Sequence, residues 1–110
     1  MIPRGAKARQ RHLERLEASV LTEMLIHLGQ SQFALAEKGL GSSRVENLAL
    51  LAVEHGRTKA PSFMASRPSP SETDEWDKRQ WDAVDEAEAK FAGIINHIVA
   101  LRDGAEEEED

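Results

Sequence analysis

The sequence predicts an all-α fold: a small helical bundle or hairpin with long N- and C-terminal helices, one or two short central helices and a Pro-containing loop. Three observations carry this. Apolar residues recur at three- and four-residue intervals through two long stretches. Serines with capping spacing and glycines fall where those stretches start and stop. Three of the four prolines crowd into a single segment between them.

The first stretch predicts a helix over 6–28, preceded by a flexible basic segment at 1–5. Leu13, Leu16, Val20, Met24 and Leu28 form its stripe, widened by Leu21 and Leu25, with Arg11, Glu14, Arg15, Glu17 and Glu23 mostly opposite. Gly29 suits the left-handed position that ends a helix. Residues 31–38 then read as a short helix with Ser31 as its cap, broken by Gly39 and Gly41. Ser43 and Glu46 have capping-box spacing and open the next helix, whose face is Val45, Leu48, Ala49 and Ala52 and whose stop is Gly56. The N-terminal helical region is thus expected to fill 6–56.

Residues 57–70 lack a helical period and hold Pro61, Pro68 and Pro70, so a loop is expected there. Ser71 opens the last helix at capping-box spacing from Asp74, and Glu72, Asp74 and Glu75 complement the positive end of its dipole. Trp81, Val84, Phe91, Ile95 and Ile98 give it a near-heptad seam, flanked by Ile94 and Leu101. Gly104 is its expected end, so the helix should fill 71–104. The tail at 105–110, nearly all acidic, is expected to be disordered.

A chain of 110 residues suffices for one domain. Its hydrophobic fraction of 40% includes fifteen alanines and only five aromatics, enough to fill the seam between a few helices but thin for an isolated core. Burial against another subunit is therefore expected. The absence of cysteine excludes disulfide scaffolds and thiolate metal sites. No run approaches 18 apolar residues and no secretory signal is recognisable, which leaves no membrane span and a cytoplasmic location as the default. The net charge of −6 divides unevenly: residues 1–67 are net positive and 68–110 strongly negative. Such halves attract each other within a chain or between neighbouring chains.

Little in the chain points to chemistry. No Glu-x-x-His pair is present, and Glu23 with His27 reads as a local polar pair on one helix. His55 next to Gly56 suits a helix C-terminus, His97 falls among seam residues, and His12 lies in the basic arm. The serines have capping and solvation roles, and the glycines at 39 and 41 lack both the third glycine and the lysine of a phosphate loop. No catalytic residue, metal site or cofactor is expected, and the chain is not expected to be an enzyme.

Binding remains. The leading expectation is an oligomerising adaptor or assembly protein, a homo-oligomer with protein partners, whose self-association seam is Leu13, Leu16, Val20, Met24, Trp81, Val84, Phe91, Ile95 and Ile98. Leu50 and Val53 widen one helix beyond a single stripe, and Trp76 and Trp81 lie on different flanks, so two faces need cover. Phe63 and Met64 are candidates for a partner-docking loop or for folding back onto the bundle. In general shape the chain resembles small viral packaging and assembly adaptors, a likeness of fold alone. An alternative is a small DNA-binding regulator using Arg4, Lys7, Arg9, Arg11, Arg15 and Arg44, with helix-turn-helix proportions over 31–38 and the helix from Ser43. A third is an inhibitor whose acidic C-terminal half covers a basic partner surface.

Overall fold

The computed structural model describes residues 5–37, 45–65 and 73–108. Three α-helices account for most of them: α1 at Ala6–Glu37, α2 at Val45–Lys59 and α3 at Thr73–Glu108, with a 3-10 turn at Ala60–Phe63. The fold is all-α. Contacts along the helices set their directions. Met24 faces Gly56 and Ala65 lies beside Gln80 and His12, so α2 runs antiparallel to α1. Arg57 reaches Asp85 while Glu46 and Ile95 share one hollow, so α2 is antiparallel to α3 as well. α1 and α3 are therefore parallel, and the bundle is up-down-up.

Helix choice follows from the periodicity. Leu16, Val20, Met24 and Leu28 bury the stripe of α1, and Val84, Ala87, Phe91 and Ile95 bury that of α3. Between them α2 contributes small residues: Ala49, Ala52, Gly56 and, just beyond it, Ala60 are all buried. This lets its backbone sink against the bulkier α1. Gly5 turns the chain into α1 with φ of +84°, a conformation that strains any side chain, and its carbonyl accepts from Arg9 N at 3.1 Å.

Four expected boundaries differ. α1 does not stop at Gly29, and the expected short helix at 31–38 is its continuation. Gly29 is exposed with ordinary helical φ, and one glycine costs a helix only about 1 kcal/mol when its neighbours support it. Ser31 is no cap, since its hydroxyl donates back to the His27 carbonyl at 2.8 Å, a bond available inside a helix. α2 likewise passes Gly56 to Lys59, because that glycine meets a packing need. The expected loop at 57–70 begins with the last turn of α2 and the 3-10 turn, which takes Pro61 at its start where a missing N–H costs nothing. Finally, α3 continues past Gly104 through 105–108. The proposed caps Ser43 and Ser71 lie outside the described residues.

Candidate protein-binding groove

Small residues on α2 shape the surface as well as the core. Because Ala49, Ala52 and Gly56 draw α2 down onto α1, and α3 packs through Phe91 and Ile95, a furrow stays open between α2 and α3. One hollow of ≈ 380 Å³ is walled by Ala49, Leu50 and Val53 on α2 and by Phe91, Ala92 and Ile95 on α3, with Glu46, Glu88 and Asn96 around it. A second of ≈ 500 Å³ shares Leu50 and Val53 and extends to Glu54, Arg57, Thr58 and Trp81. Together they make one largely apolar channel along α2. Leu50 stands beside it with 71% of its surface in water.

The rim is charged. Arg57 donates to Asp85 Oδ1 at 2.8 Å and to Glu88 Oε2 at 3.4 Å, and its guanidinium lies 5.7 Å from the centre of the Trp81 ring. Trp81 is 38% exposed, whereas Trp76 is only 3% exposed. On the other side of α3, a hollow against α1 is lined by Gln10, Glu14, Glu17, Arg79 and Asp82 with Leu13 and Ala83. Its polar groups suit water, so it carries no comparable solvation cost.

Two polar clusters hold the helices together. Gln80, 1% exposed, sits in the core register of α3. Its Oε1 accepts from Ala65 N and from His12 Nε2, both at 2.8 Å, and its Nε2 donates to the Ala65 carbonyl at 3.2 Å. Because that oxygen only accepts, the His12 proton is on Nε2. The second cluster joins α1 to α2: His55 Nε2 donates to Glu23 Oε2 at 2.9 Å, and the His55 ring stacks on His27 with centroids 4.4 Å apart. Among the described residues no group of three His, Asp or Glu side chains could hold a metal ion.

The expected seam lies inside the single chain. Leu16, Val20, Met24, Val84, Phe91 and Ile95 are buried in its own core and Leu13 is half-buried. Only Trp81 and Ile98 of that set remain exposed. The difference is one of partner: the stripes of α1 and α3 satisfy each other and α2. Phe63 and Met64 fold back, half-buried, against this core. Of the basic set, Lys7, Arg11 and Arg15 are exposed on α1, Arg9 is half-buried, and Arg4 and Arg44 lie outside the described residues. The helix-turn-helix proportions do not hold, because 31–37 ends a 32-residue helix. His97 is exposed rather than in the seam, and His55 bonds Glu23 rather than terminating a helix.

The width of the α2 stripe at Leu50 and Val53 points toward the groove from spacing alone. Gln80 carries a signal that apolar periodicity passes over, because it stands at core spacing between Trp76 and Val84. A polar residue in such a register signals a buried bond. No helix among the described residues is long and apolar enough to cross a membrane. No known protein family, curated protein or solved structure matches this chain.

Proposed function

We propose that this chain is a non-enzymatic, oligomerising adaptor that works through protein–protein contacts, with the α2/α3 groove as its contact surface. One observation carries the reading: an apolar channel left open along α2 with Leu50 standing exposed beside it. Leaving such a patch in water forgoes roughly 25 cal/mol for each Å² a partner would cover. The polar clusters fit the same reading, since their hydrogen bonds tie one helix to another.

Light scattering over a concentration series tests it. The chain is expected to exceed monomer mass at tens of micromolar, as an order of magnitude, and Leu50→Lys to return it to a monomer with unchanged helicity. A wild-type chain that stays monomeric throughout overturns the oligomeric reading.

A second reading, a small DNA-binding regulator, rests on Lys7, Arg11 and Arg15, which are exposed at four-residue intervals along one line of α1. Such a row spans ~12 Å, enough to meet successive phosphates. Duplex binding that weakens steeply with salt and vanishes when these three become alanine would favour it. Absence of binding at low salt removes it.

A further inference from the structure

Resting on the self-association proposed above, we infer that the occupant of the groove is a second copy of this chain, docked about a two-fold axis with the two α2 helices antiparallel. The patch offers both halves of a self-complementary contact. Leu50 stands on the wall of the hollow with most of its surface in water, while Val53, Phe91, Ala92 and Ile95 line the rest of it. A surface holding both knob and hole closes on a copy of itself and leaves no open end.

The register follows from the sequence of α2. Glu46, Leu50, Val53 and Arg57 are spaced by four, three and four residues, one stripe of a helix, and all four line the groove. In an antiparallel pair with its axis between Leu51 and Ala52, Leu50 of one copy meets Val53 of the other, and Glu46 meets Arg57. Apolar residues then fill the centre and two opposite-charge pairs flank it. Moving the axis onto Leu50 sets Glu46 against Glu54, two like charges, so the charges select the first register. Arg57 keeps a carboxylate in either state, from Asp85 and Glu88 in the single chain and from these together with Glu46 of the second copy in the pair.

The chain has no cysteine, so introduced ones report this geometry directly. Copies carrying Leu50→Cys are mixed with differently tagged copies carrying Val53→Cys and oxidised mildly. The mixed cross-link should exceed either like-with-like product several-fold, and Leu51→Cys, on another side of α2, should give none. Separately, self-association of the unmodified chain should weaken as salt rises, and Glu46→Gln should flatten that dependence. If the chain dimerises but Leu50→Cys and Val53→Cys show no preference for each other, this register is wrong while the adaptor reading stands. A chain that never dimerises overturns both.

Discussion

Gly56 on α2 lies so close to Met24 on α1 that a Cβ built on the glycine would sit 2.5 Å from Met24 Cγ and 2.8 Å from its Cε. Cγ is one bond beyond Cβ and moves only with the χ1 rotamer of a buried side chain, so the clash is not relieved by a swing of the methionine tip. Gly56→Ala should therefore destabilise the fold. Overpacking of this kind costs ~1–3 kcal/mol, against which alanine recovers up to about 1 kcal/mol of helix propensity. The net expectation is a urea midpoint lowered at constant slope. In a Met24→Ala background, which has no Cγ, the penalty should shrink, and a cycle of the four proteins would expose the coupling. Additive losses would show that Met24 is not the cause.

Gly29 should behave in the opposite way. It sits in the middle of α1, exposed, and a methyl group added there would meet nothing within 4 Å. Gly29→Ala is expected to raise stability by roughly 0.5–1 kcal/mol, by lowering unfolded-chain entropy and improving helix propensity. A thermal scan that shows a loss instead would mean α1 ends at Gly29 in solution.

These two glycines show why the fold class was legible and the boundaries were not. The stripes of α1 and α3 depend on spacing alone, and spacing is in the sequence. Gly29, Gly56 and Gly104 resemble C-terminal stops, because a glycine that ends a helix and one that admits a neighbour are the same letter. Only the position of Met24 on another helix distinguishes them for Gly56. The groove was half legible: Leu50 and Val53 widen their stripe, but Ala92 and Ile95 complete the hollow from a helix distant in the chain. Most members of the expected seam are buried within the single chain, since periodicity says that a face is covered without saying by which chain.

Gln80 should matter more than any surface ion pair. Gln80→Leu removes the partner of both Ala65 backbone groups and of His12. A buried amide group left without its bond costs ~1–3 kcal/mol, while an exposed pair such as Lys90 with Glu17 contributes about 0–1 kcal/mol. Hydrogen exchange gives a local signature, because the Ala65 amide should lose protection in Gln80→Leu. In Gln80→Glu that amide keeps an acceptor, so its protection should largely persist even though the bond to the Ala65 carbonyl is lost. Equal exchange in both variants would refute the clamp.

The groove has one wall made of core and one rim made of surface, and a pair of substitutions separates them. Phe91 is fully buried and forms part of the floor, whereas Leu50 touches mainly water. Phe91→Ala should cost ~3–5 kcal/mol, the loss of a large buried side chain plus the cavity it leaves. Leu50→Lys should change the stability of the isolated chain by no more than about 0.5 kcal/mol, since an exposed leucine contributes little to its own fold. Stability measured well below the association range reads this directly. A Leu50→Lys penalty approaching that of Phe91→Ala would mean that Leu50 is covered within the monomer, and the groove would then have no knob to offer a second chain. Near-neutrality there, combined with loss of association at higher concentration, places the role of Leu50 between chains and not within one.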